Sequence, residues 1–333
     1  MQKKEEKVCI KYKKAIDFGD GKCYNYCYTP RECVILYFIK RKGIIMKKII
    51  ALALCLVMVL SFTVLFASCG ETKTPVKVYT EYELTAESYA FAIAKENTAL
   101  KTATNELLAD LKANGELDKI INSFFDGTAT FAYTNPVSEV PTGAEKENYL
   151  IVATNAYFPP FEYYEGSKLS GVDMKIASLL AEKLGKTLYI NDMDFDTIIT
   201  SVKNCESDIG MAGMTVNPAR LELIDFTTEY YESAQVLIVR ENDTVFAECN
   251  SATEIETVLA AQSKDFIVGT QNGTTGFMYT AGDADFGYDG FKNLETKSYT
   301  TGALAVLDLA NGKIDAVIID KQPAIMIAES TNK

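Results

Sequence analysis

The chain of 333 residues contains no histidine and no tryptophan. The first absence excludes mechanisms that need an imidazole base and removes the commonest protein ligand of transition metals. Cysteine is scarce where a disulfide framework would need it. Of eight cysteines, Cys9, Cys23, Cys27, Cys33, Cys55 and Cys69 precede residue 70, and only Cys205 and Cys249 follow. A stapled domain carries its cysteines through the folded body, so this spread argues against one. Positive charge is also thin after residue 69. Residues 1–69 hold 13 of the 33 Lys/Arg and 5 of the 45 Asp/Glu, which leaves 20 basic against 40 acidic residues in the remainder. A body this acidic cannot neutralise phosphates, which sets nucleic acid aside as a partner. The apolar fraction is an ordinary 48%, enough for a large core, and the length suggests about two domains' worth of chain.

The front of the chain reads as an address. Met46-Lys47-Lys48 precedes an apolar run from Ala51 to Phe66 and then Ala67-Ser68-Cys69. A short basic start, an apolar core and small residues before a cleavage point make 46–68 a secretory signal peptide. The ending Leu65-Phe66-Ala67-Ser68-Cys69 resembles a bacterial lipobox, although Phe66 departs from its usual small or aliphatic residue. That resemblance implies lipidation of Cys69, a tether over 69–74 and a place on the extracellular face of the cell membrane. The alternative is an uncleaved membrane helix, since roughly 18 apolar residues can span a bilayer. Residues 1–45 precede a good start at Met46 and read as a non-native N-terminal extension. Cys23, Cys27 and Cys33 could suggest zinc, but their spacing fits no standard ligand set. No metal and no cofactor is expected.

The body alternates strand and helix. Val76–Tyr79 and Tyr89–Ala94 read as strands, and Asn97-Thr98 starts a helix with Leu100, Ala103, Leu107, Leu108 and Leu111 on one face. Leu117–Phe125 reads as a second helix. Residues 126–148 lack apolar periodicity and read as a flexible linker. From Tyr149 the pattern repeats. Strands are expected at 150–153, 187–190, 208–212, 235–240, 266–269 and 316–319. Helices are expected at 173–184, from 196, at 300–310 and at 323–329. Such alternation predicts an α/β protein with largely parallel sheets.

Several motifs then occur in a recognisable order. They are Ala153-Thr154-Asn155-Ala156-Tyr157-Phe158-Pro159-Pro160-Phe161-Glu162-Tyr163, Met193-Asp194-Phe195-Asp196, Ala212-Gly213-Met214-Thr215-Val216-Asn217-Pro218-Ala219-Arg220, Ile224-Asp225-Phe226-Thr227 with Tyr230-Tyr231, Gly269-Thr270-Gln271-Asn272-Gly273-Thr274-Thr275, and Gly312 through Asp320. Residues 149–333 resemble the first three-quarters of the polar-amino-acid-binding proteins of the type II periplasmic class (bacterial solute-binding protein family 3). The remaining quarter of that family's pattern resembles 84–98 and 108–120, at the front. The resemblance therefore implies a circularly permuted two-lobe fold with a hinge. Lobe 1 would combine 92–125 with 149–235, and lobe 2 would combine 75–89 with 238–333. Residues 126–148 would be the permutation linker, and strands near 235–238 and 89–91 would cross between lobes. A chimera of two fragments is the alternative, but nothing is duplicated.

The resemblance also implies a site. A free amino acid carries a carboxylate and an ammonium, each costly to bury unpaired. Arg220 can offer the carboxylate a fork of two hydrogen bonds, with Thr215, Thr275 and the backbone at Ala212 and Gly213 beside it. Asp320 would accept the ammonium, and Phe158 and Phe195 would wall the side chain. Asn155, an amide where the family often has a carboxylate, suits a neutral polar ligand. Taken singly, each is open to a plainer reading: Arg220 as a solvated helix charge, Thr215 and Thr275 as turn residues, Asp320 as a helix cap, Phe158 and Phe195 as core. The expected partners are an amino acid, an ABC transporter permease and, through the lipid, a membrane. Two other functions remain on the same fold: an enzyme such as a cyclohexadienyl dehydratase, for which Glu162 would be the acid unless it is part of a solvated strand end, and a ligand-sensing ectodomain.

Overall fold

A computed structural model describes residues 73–333. The N-terminal extension, the signal segment, Cys69 and most of the tether lie outside the described residues.

Two five-stranded sheets organise these residues. One runs Asp225–Phe226, Ala92–Ile93, Ile209–Gly210, Tyr149–Thr154, Thr187–Asp192 and belongs to lobe 1. The other runs Val76–Val78, Gln235–Arg240, Ala316–Asp320, Ile267–Gln271, Glu295–Tyr299 and belongs to lobe 2. The central strands are apolar throughout, as in Leu150–Ala153 and Ala316–Ile319, because helices cover both faces. The sheets are mixed rather than largely parallel. In each, the strands joined by helical crossovers pair parallel, while the two pairings made by segments arriving from the other lobe are antiparallel. A segment that enters without a crossover helix is free to run the other way.

The front of the described chain takes part in both sheets. Val76–Val78 is an edge strand of lobe 2, and Asn332 at the far end bonds both the N–H and the C=O of Val76, each at 2.8 Å. Ala92–Ile93 lies inside the lobe 1 sheet, flanked by two other strands. The stretch Tyr89–Ala94, expected as one strand, is therefore two short strands, Glu87–Tyr89 and Ala92–Ile93, in different sheets. The first pairs with Tyr231–Ser233 as an antiparallel ribbon between the lobes. This pair, and not Gln235–Ile238, forms the crossing; Gln235–Arg240 lies wholly in lobe 2.

The Thr98–Ala113 helix begins where Asn97 accepts the N–H of Leu100, and it buries Leu100, Leu108 and Leu111. The Glu116–Phe125 helix follows a left-handed Gly115 and buries Leu117, Ile120, Ile121 and Phe124. Both pack against the Val172–Leu184 helix of lobe 1. Phe125 meets the rings of Phe161 and Tyr231 edge-on at 5.8 and 5.6 Å, which ties the helix end to the interlobe ribbon.

The segment 126–148, expected to be flexible, is docked. Tyr133 exchanges backbone bonds with Leu169 and donates its hydroxyl to the carbonyl of Leu188. The Asn135 amide bonds both the carbonyl and the N–H of Ile190, at 2.8 and 2.9 Å. Ile190 lies on the outer strand of the sheet, so a side-chain amide stands in for a missing neighbour strand. Low apolar content hid this order from the sequence because the contacts are polar and pairwise.

Candidate functional site

All nine residues picked out in the sequence as ligand contacts line one narrow, partly enclosed cavity of ≈ 10 Å³ between the lobes: Asn155, Phe158, Phe195, Ala212, Gly213, Thr215, Arg220, Thr275 and Asp320. Glu162, Gln271 and Thr274 complete the wall.

Lobe 1 contributes the cation. Asn217 caps the Pro218–Leu223 helix by accepting the N–H of Arg220, which fixes where the arginine starts. The guanidinium is 4% exposed. It donates to the carbonyl of Thr215 at 2.7 Å and, across the cleft, to that of Gly273 at 3.0 Å. Phe195 and Phe286 hold it from two sides, with ring centroids 5.5 and 5.6 Å away. Burial lowers its pKa to about 10, so it stays charged at neutral pH. Gly213 has φ +51, and a Cβ there would stand 2.8 Å from the Phe158 ring, so the backbone can approach the ring only without a side chain.

Lobe 2 contributes the turn after Ile267–Gln271 and the end of Ala316–Asp320. The Thr274 hydroxyl donates to the carbonyl of Gln271 and accepts from the N–H of Phe277, capping the Thr275–Ala281 helix. The buried Thr275 hydroxyl has no partner among the described residues. Asp320 accepts the hydroxyl of Tyr89, which in turn accepts that of Ser233 at 3.0 Å. Burial and the neighbouring Glu87 raise the Asp320 carboxyl to about 7. Glu87 accepts from Thr85, Thr215 and Gln235 at 2.6, 2.6 and 2.9 Å. The ribbon between the lobes thus reaches both walls.

One chain of amides fixes its own orientation. The Met193 carbonyl can only accept, so Asn155 must turn its NH2 toward it, at 2.8 Å. The Asn155 oxygen then faces Gln271, which must present its NH2, at 2.9 Å. The Gln271 oxygen is left buried with no donor among the described residues.

Residues 150–315 match the bacterial extracellular solute-binding proteins, family 3. The Bacillus subtilis (strain 168) arginine-binding extracellular protein ArtP is 38% identical over 114 residues, which cover 34% of this chain and 44% of that protein. The Escherichia coli (strain K12) ABC transporter arginine-binding protein 1 is 29% identical over 181 residues, covering 54% of this chain and 65% of that protein. A mutant of ArgBP from T. maritima aligns at a TM-score of 0.48 with 27% identity, over 56% of this chain and 73% of that one. Residues 150–315 belong to the family 3 solute-binding proteins. The chain spans about half to two-thirds of the length of the curated relatives it matches.

In this solute-binding fold the cleft is closed by polar contacts from the Ile267–Gln271 turn: Gln271 to Asn155, Asn272 to Asp196, and the Gly273 carbonyl to Arg220. Arg220 and Asp320 line the same cavity from different lobes. Three features escaped the sequence. Glu162, considered there as part of a solvated strand end, is fully buried, and among the described residues its carboxyl meets only that of Asp173. Gln271 sat inside a recognised motif without a role, and Phe286 reaches the site from a loop, Gly282–Gly290, that carries no motif. Strand alternation places Glu162 opposite Phe158, and that register was the one available signal for it.

Proposed function

We propose that this protein captures a free amino acid in the interlobe cavity, outside the cytoplasm, and delivers it to an ABC importer. The observation that carries the reading is one cavity with a buried guanidinium from one lobe and a buried carboxyl from the other. A zwitterion satisfies both, and a molecule with only one charge leaves the other group buried without a counter-ion. The match to extracellular solute-binding proteins supports the same reading.

The side chain of the ligand follows from the free polar atoms. The neutral-ligand expectation rested on Asn155, but its amide is committed on both sides. The groups left facing the cavity are the Gln271 oxygen, the Thr275 hydroxyl and the Glu162 carboxyl. All three can accept hydrogen bonds and one is acidic, which favours a side chain ending in N–H donors, cationic in preference to neutral. Two relatives named as arginine-binding agree.

The chain order is part of the proposal. Entry of Val76–Val78 into one sheet and Ala92–Ile93 into the other supports a permuted arrangement joined through 126–148. A lipid anchor at Cys69, which would hold the protein near its importer at high effective concentration, is likewise part of the proposal.

Calorimetry of purified protein against the twenty amino acids tests the reading. The expected result is binding of arginine or lysine well above glutamine, and no binding of any amino acid would overturn it. An enzyme on the same fold draws support from Glu162, an acid in the cavity wall. Mass spectrometry of each bound amino acid after prolonged incubation separates the two, since a binding protein returns it unchanged.

A further inference from the structure

Glu162 and Asp173 are two buried carboxyls in hydrogen-bond contact. Glu162 opens the Glu162–Glu165 strand opposite Phe158, is fully buried, lines the ligand cavity and meets no donor among the described residues other than the Asp173 carboxyl. We propose that Glu162 recognises the cationic end of the ligand by exchanging its proton for it, so that capture of a cationic amino acid releases a proton to solvent while capture of a neutral one does not. This rests on the amino-acid reading above and adds a residue and a proton to it.

The surroundings of Glu162 make the exchange a matter of charge balance. Asp173 faces it from the Val172–Leu184 helix, Asp320 from lobe 2 and Asp192 from the Thr187–Asp192 strand. Tyr230 also lies near. Asp173 spends one oxygen on the Gly213 N–H at 3.0 Å and the other on the Tyr230 hydroxyl at 2.6 Å. No donor is therefore left between the two carboxyls except a proton of their own, and that proton lets them lie side by side. The cavity lining holds a single cation, Arg220, whose guanidinium already serves the Thr215 and Gly273 carbonyls and lies on the opposite task of meeting a carboxylate. In the unliganded cavity burial and the three aspartates push the Glu162 pKa well above the usual carboxylate range. A guanidinium or ammonium entering the cavity supplies the missing positive charge and drives the proton off. A neutral side chain supplies none, and Glu162 stays protonated.

Asp320 complicates the count, because an ammonium on it also displaces protons near neutrality. That displacement is common to every amino acid, so the comparison needs two ligands of one shape. L-arginine and L-citrulline serve, since they differ in the charge of the terminal group. Calorimetry at pH 7 in buffers of different ionisation enthalpy counts protons released per ligand. The expected result is up to one proton more for arginine than for citrulline in the wild type, and no difference in Glu162→Gln. Between pH 6 and 8 arginine affinity should rise more steeply in the wild type than in the variant, the difference reaching about tenfold per pH unit. Equal proton counts for the two ligands in wild-type protein would overturn the proposal without needing the variant to fold. Unchanged arginine affinity and pH slope in a folded Glu162→Gln would also overturn it. Failure of both ligands to bind would instead overturn the amino-acid reading, and this proposal with it.

Discussion

Replacing Arg220 with alanine removes the one cation in the cavity lining. A guanidinium has five N–H donors, and the Thr215 and Gly273 carbonyls use two of its nitrogens once each. The remaining donors can meet a ligand carboxylate as a fork. Truncating one partner of such a buried charge pair costs about 2–5 kcal/mol, a loss of about 30-fold to 4,000-fold in affinity. The upper part of that range applies here, because the carboxylate would be left facing Asp320 and Glu162 with no positive partner. The Gly273 carbonyl would also lose its bond across the cleft, so closure weakens together with recognition. Arg220→Lys keeps the charge without the fork and should fall between the wild type and alanine. Isothermal calorimetry with arginine, next to a thermal melt of each variant, separates lost binding from lost folding. A folded Arg220→Ala protein that binds within about threefold of the wild type would refute the assignment.

Phe286→Ala removes the lobe 2 ring against Arg220. The cation–π contact is worth about 0.5–2 kcal/mol, so affinity should drop by a few-fold to about thirtyfold, through faster dissociation in stopped-flow measurements, while Phe286→Trp restores it. Gly213→Ala puts a Cβ 2.8 Å from the Phe158 ring at φ +51. It should lower stability by about 1–3 kcal/mol by chemical denaturation, and full stability would show that the ring can move aside. The pH dependence of the unliganded protein follows from three buried carboxyls, Glu162 raised well above its usual value, Asp173 to about 6 and Asp320 to about 7. The native state holds protons that the unfolded chain has already released, so stability falls as pH rises from 5 to 8. Thermal melts across that range should show the fall, and a flat or rising profile would contradict it.

The α/β class, the main strands and the cavity-lining residues were legible because they depend on local pattern and on short motifs. Asn217-Pro218-Ala219-Arg220 reads as a capped helix start carrying an arginine, and the structure has that geometry. The Ala316–Asp320 strand reads as buried because nothing polar interrupts it before Asp320. The short strands Glu87–Tyr89 and Ala92–Ile93 read as one, because a two-residue passage between sheets leaves no break in an apolar run.

What the sequence determined by itself is the set of side chains offered to the cavity and the identity of the elements that carry them. What only the tertiary structure decided is which of those side chains remain free. Asn155 looked available and is consumed by Met193 and Gln271, whereas Gln271 looked incidental and is left with an unpaired oxygen, and Glu162, read as a solvated strand end, is buried against Asp173. Hydrogen-bond satisfaction belongs to pairs of residues far apart in the chain, 116 positions apart for Asn155 and Gln271, and a one-dimensional pattern carries no record of such pairs.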